Sequence, residues 1–112
     1  MSKSIKHIKG LLDRYEQFTD LDRKTRWVAP KSVLLRLANP ALHPEDRVEI
    51  VMAAYASAHG GNLPSQIITA ELLGITRTWV SYSIKKLIMQ NRASFIHGEL
   101  VLTNSEWKHP AA

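Results

Sequence analysis

The chain has 112 residues, no cysteine, and 15 Lys+Arg against 10 Asp+Glu, for a net charge of +5. This length holds about one domain, and the lack of cysteine excludes disulfide frameworks, thiolate zinc sites and cysteine nucleophiles. No apolar run approaches the ~18 residues of a membrane span, so no membrane partner is expected, while the basic excess favours an anionic partner, with nucleic acid first.

Ile5, Ile8, Leu12 and Tyr15 recur at three- and four-residue steps, continuing to Phe18 or Leu21, and predict an amphipathic helix over about 4–21. Pro30 can open a second, short helix. Val33, Leu34, Leu35 and Leu37 should bury it, and Asn39-Pro40 should end it, because the residue before proline avoids helical geometry. The stretch 39–43 reads as a linker. Pro44-Glu45-Asp46 looks like a helix opening, with proline in the first turn and acids near the positive dipole end. Val48, Val51, Met52, Tyr55 and Ala58 then share one face, up to a stop at Gly60-Gly61-Asn62.

Ser65 can cap a helix of about eight residues that Gly74 closes. Thr76 can cap the next one, which runs to about Gln90 with Val80, Ile84, Leu87 and Ile88 inward, and Asn91 can take the left-handed conformation that ends it. The period then changes. Residues 93–96 and 99–102 read as two strands around the turn His97-Gly98. Trp107 is expected to pack back on the body, and 109–112 to be a frayed tail. Trp27 and Trp79 are also expected to pack, Trp79 at the helix junction, the other reading for Trp79 being that it shields a phosphate.

This order of elements predicts a mainly α fold, a winged helix-turn-helix with a three-helix core, a β-hairpin wing and an N-terminal helical extension. The expected division is a basic extension over 1–42, a DNA-binding domain over 43–108 and the tail. Residues 1–36 carry nine Lys/Arg against four Asp/Glu, whereas 37–112 carry six against six. The basic excess therefore belongs to the extension, whose stripe Ile5, Ile8, Leu12 and Tyr15 is a candidate homodimer seam, the other reading being that it folds over Val33, Leu34 and Leu37 of the same chain.

The helix after Thr76 has a second stripe. Arg77, Thr78, Ser81, Tyr82 and Lys85 share one face, rich in hydrogen-bonding groups and free of acids. Such a face suits the major groove of DNA, with Arg77, Thr78, Ser81 and Tyr82 expected to read it, Arg77 placed for guanine and Thr78 and Tyr82 for thymine methyls or phosphates. Lys85 fits a phosphate. Lys86, Arg92 and His97 in the wing turn are further candidate phosphate contacts. The five histidines show no metal-ligand spacing, and no serine elbow, phosphate-cradling glycine loop or paired carboxylates point to an enzyme. No cofactor and no metal site are expected.

The run Gly74-Ile75-Thr76-Arg77-Thr78-Trp79-Val80-Ser81, then Lys85-Lys86-Leu87, Gln90-Asn91 and His97-Gly98, resembles the DNA-binding domain of the cyclic-AMP receptor/fumarate-nitrate regulator (Crp/Fnr) family. The resemblance covers about 44–104. It implies that Arg77, Thr78 and Tyr82 hold base-reading positions and that Ser65 and Gln66 hold phosphate-contact positions. About 43 preceding residues cannot hold the family's cyclic-nucleotide barrel, so no small-molecule effector is expected. Thr69 stands where the family usually has a buried leucine or isoleucine. Tyr82 stands where it often has arginine, so a different target sequence is expected.

The expected function is that of a small, cytoplasmic, nucleoid-associated transcription regulator that binds double-stranded DNA as a homodimer, a repressor or operon regulator. The alternatives are a plasmid or phage replication or partition accessory, and a winged-helix protein-interaction module that does not bind DNA.

Overall fold

The computed structural model describes residues 3–15 and 29–103. Within them the chain is mainly helical, with five α-helices followed by one small two-stranded antiparallel sheet. The expectations for residues 16–28 and 104–112, including Phe18, Leu21, Trp27, Trp107 and the tail, lie outside the described residues.

Helix α1 spans Lys3–Asp13, its last described turn ending at Tyr15. Its apolar stripe is turned inward. Ile5 and Ile8 are 4% and 0% exposed, and Leu11, Leu12 and Tyr15 pack partly buried against the same cluster. The helix lies on α2 (Lys31–Leu37) and α4 (Gln66–Leu73). Its polar side chains reinforce the second contact, the Ser4 hydroxyl donating to the Leu73 carbonyl at 2.8 Å and the His7 ring Nε2 to the Glu71 carbonyl at 2.9 Å.

For Ile5 and Ile8 the homodimer-seam expectation is therefore corrected, whereas Leu12 and Tyr15 stay partly exposed. A three-turn helix gains little stability on its own, and this one spends its stripe on its own chain. The expected boundary between extension and domain is likewise only a linker. Ile8, Leu34 and Leu37 before it form one core cluster with Val51, Leu73, Leu87 and Leu102 after it.

Helix α2 buries Val33, Leu34 and Leu37 but leaves Leu35 58% exposed. At ~100° per residue, four apolar residues in a run of five cannot all face one way. The C-terminal end of α2 is held from α3 (Pro44–Ala58). The buried Arg47 guanidinium donates from Nε to the Leu37 carbonyl and from Nη2 to the Asn39 carbonyl, both at 3.0 Å. A cation there meets the negative end of the helix dipole.

Helix α3 starts at Pro44, where the Asp46 carboxylate accepts the His43 N–H at 2.8 Å, and it buries Val48, Val51, Met52 and Ala56. It packs against both α4 and α5 (Arg77–Met89), which also pack on each other.

Asn91, at φ +59°, turns the chain out of α5 into strand β1 (Ala93–Ile96), which pairs with β2 (Glu99–Leu102) in the register Ala93↔Leu102 to Ile96↔Glu99. The connecting turn, His97 at φ +52° and Gly98 at φ +80°, is the two-residue left-handed kind that suits twisted strands. Ala93 and Leu102 bury the hairpin's base, while Phe95 and Ile96 near its tip are 63% and 51% exposed.

The base is fastened to α3 by Arg92. Its guanidinium lies 2.6 Å from Glu49 Oε1 and 2.8 Å from Asp46 Oδ1. Arg92 is thus paired with two carboxylates, which corrects its assignment as a phosphate contact. Burial alone pushes the Asp46 carboxyl up, but the His43 N–H and the Arg92 guanidinium together outweigh it and hold the group below its usual value. The unfolded chain then takes up protons at this site more readily than the folded one, so the contribution is complete above about pH 4 and is lost as pH falls further. In denaturant melts, Arg92→Ala is expected to lower stability at pH 7 by about 1–2 kcal/mol. It should also flatten the loss of stability below pH 4.

Candidate nucleic-acid interface

Local chemistry sets the relation of α4 to α5. The Ser65 hydroxyl accepts the Ile68 N–H at 3.2 Å and starts α4. Thr76 does the same for α5 through the Trp79 N–H, also at 3.2 Å. Gly74 ends α4 at φ +66°, ψ +35°, and the chain folds back so that the Ile75 N–H reaches the Ala70 carbonyl at 3.1 Å. The conformation favours glycine, and so does space, since a Cβ at Gly74 would stand 2.5 Å from His7 Cγ and 2.7 Å from His7 Cβ.

Ala70 and Thr69 are buried beside this turn. The Thr69 hydroxyl donates to the Ser65 carbonyl at 3.1 Å, so a polar residue is satisfied where the family resemblance leads one to expect leucine or isoleucine. Ile75 is half-buried against the core.

With Val80, Ser83 and Leu87 buried and Ile84 and Ile88 packed partly buried against the core, the opposite side of α5 is left outward. Arg77, Thr78, Tyr82 and Lys85 are exposed, and Ser81 is half-buried at their edge. The four sequence-assigned base-reading residues thus occupy one accessible helix surface. No carboxylate is present on α5.

Ser65 and Gln66 are exposed at the start of α4. They border a groove of about 490 Å³ shared with Val80 and Ile84 of α5 and with Phe95 and Leu100 of the hairpin. Lys86 is half-buried, its Nζ 5.3 Å from the centroid of the Tyr82 ring. His97 is exposed in the hairpin turn.

Trp79 departs from expectation. It is 56% exposed rather than packed at the helix junction, and its ring meets Tyr82 edge to face at 5.8 Å and 85°. The signal was in the spacing. Val80, Ser83 and Leu87 at i, i+3 and i+7 define the inward line, which leaves Trp79 at its margin. On this flank a second groove, about 590 Å³, runs between Trp79, Thr76 and Ile75 and the N-terminal ends of α1 and α3, with Lys3 on its border. Lys3 of α1 therefore lies next to the start of α5, and Lys3, Lys6 and Lys9 are all exposed. Sequence reading missed this juxtaposition, because it depends on how α1 folds back.

Among the described residues no group of His, Asp or Glu is arranged to hold a metal ion, and no helix is long and apolar enough to cross a membrane. No family model matches the chain, and no curated protein or solved structure matches it either.

Proposed function

We propose that this chain is a winged helix-turn-helix protein that binds double-stranded DNA in a sequence-specific way and regulates transcription from the bacterial nucleoid. The observation that carries the reading is the α4–turn–α5 unit, capped at Ser65, Gly74 and Thr76, which presents the acid-free outer face of α5. A helix about 10–12 Å across fits the major groove. In this reading α5 enters that groove, and Arg77, Thr78, Ser81 and Tyr82 meet base edges. Ser65, Gln66, Lys85 and Lys86 hold phosphates on either side, and the hairpin lies along the backbone with His97 at its tip. The likeness of residues 44–104 to the Crp/Fnr DNA-binding domain implies base-reading positions for Arg77, Thr78 and Tyr82 and phosphate positions for Ser65 and Gln66.

Selection from a pool of random duplexes tests the proposal. The full chain is expected to enrich one motif, and its affinity for that duplex should fall steeply with salt as counterions are released. Arg77→Ala is expected to weaken binding by about 1–3 kcal/mol and to relax the preference at one base position. A pool that stays random after selection overturns the proposal. An Arg77→Ala chain with unchanged affinity and preference removes Arg77 from the reading set.

A further inference from the structure

We infer that Trp79 and Tyr82 together form a reader of thymine methyl groups on α5, an assignment that rests on the DNA-binding reading above and sharpens it. Both rings stand outside the core, 56% and 52% exposed. They are not loose, because they lock edge to face at 5.8 Å and 85°, and Lys86 lies over the Tyr82 ring at 5.3 Å. The pair is an apolar corner of preset shape on a helix that also displays Arg77, Thr78 and Lys85, with Met89 exposed at its far end.

Its occupant must be apolar where it meets the rings and anionic around them. Duplex DNA meets both conditions in the major groove. Thymine, with its C5 methyl, is the one standard base with an apolar group on that edge, and phosphates flank it on both sides. The right-angled arrangement favours a methyl over a flat base. With Lys86 over its ring and Trp79 set against it at 85°, Tyr82 lacks the open platform on which an unpaired base stacks.

Geometry also orders the site. At ~100° per residue, Tyr82 and Trp79 lie roughly 140–200° around the axis from Arg77. Guanine recognition by Arg77 and methyl recognition by the aromatic pair therefore fall at opposite edges of the outer face of α5, giving an asymmetric half-site.

The test uses the full chain and its selected duplex, resynthesised with uracil for thymine one position at a time, a change that removes only the methyl. At one or two positions binding should weaken about fourfold per methyl. Trp79→Ala, checked for an unchanged circular dichroism spectrum, should still bind the duplex but no longer distinguish thymine from uracil. Arg77→Ala should bind more weakly and still distinguish them. Equal affinity of the wild-type chain for the all-thymine and all-uracil duplexes overturns methyl reading while leaving DNA binding intact. Preference for the separated single strand overturns it in favour of base stacking. Failure to bind any duplex removes the DNA-binding reading, and this inference with it.

Discussion

Gly74→Ala is expected to destabilise the protein by about 2–4 kcal/mol, because two independent costs fall on one methyl group. At φ +66° a Cβ strains the backbone, typically by about 1–2 kcal/mol. The same Cβ would lie 2.5–2.9 Å from three atoms of His7, so α1 would have to withdraw from the turn. Withdrawal would strain the Ser4–Leu73 and His7–Glu71 hydrogen bonds, which tie α1 to the end of α4. Urea unfolding of Gly74→Ala measures the sum. The double variant with His7→Ala separates the parts. It relieves the clash with the ring atoms, keeps the contact with His7 Cβ and leaves the backbone cost in place, so partial recovery is expected. With His7→Ala alone as the reference, an undiminished cost of Gly74→Ala would show that the clash with the ring atoms contributes nothing.

The second large effect is expected at Ile8. This residue is fully buried in the cluster that includes Leu34, Leu37 and Leu73, so Ile8→Ala should cost about 2–5 kcal/mol through lost burial and the cavity left behind. Its partners lie in the same chain, so the unfolding midpoint of wild type and variant should not change with protein concentration. A midpoint that rises with concentration in wild type and loses that dependence in Ile8→Ala would mean that Ile8 is buried between chains, as in the seam that the stripe alone suggests.

Why some features were readable from sequence and others were not follows from the range over which each acts. Ser65, Gly74, Thr76 and Asn91 work within four residues of themselves, and all four do in the structure what their chemistry predicts. The His97-Gly98 turn is equally local. By contrast, the period of Ile5, Ile8 and Leu12 says that a face is covered, not what covers it. Two readings stayed open, and the fold takes the intrachain one. Arg92 joins carboxylates 43 and 46 positions away, and no pattern near residue 92 announces them.

Leu35 and Trp79 show a different limit. An apolar run or a large aromatic ring suggests burial, but helical geometry directs each side chain separately. Leu35 faces solvent, and Trp79 stands beside the inward line of Val80 and Leu87. Ser83 is the converse, a polar residue that is 1% exposed on the inner face of α5. The candidate interface was thus readable as a stripe on one helix. Its aromatic corner, and Lys3 on the groove that Trp79 borders, required the fold.

Amide chemical-shift mapping checks the claim that the outer face of α5 is the DNA-contacting surface. The full chain, isotopically labelled, is titrated with its selected duplex. The expected shifts cluster at Arg77, Thr78, Ser81 and Tyr82, with smaller ones at Ser65, Gln66 and Lys85, and they collapse for a duplex of scrambled sequence. Shifts confined to other surfaces, such as Leu35 on α2, or equal shifts with both duplexes, would contradict the claim.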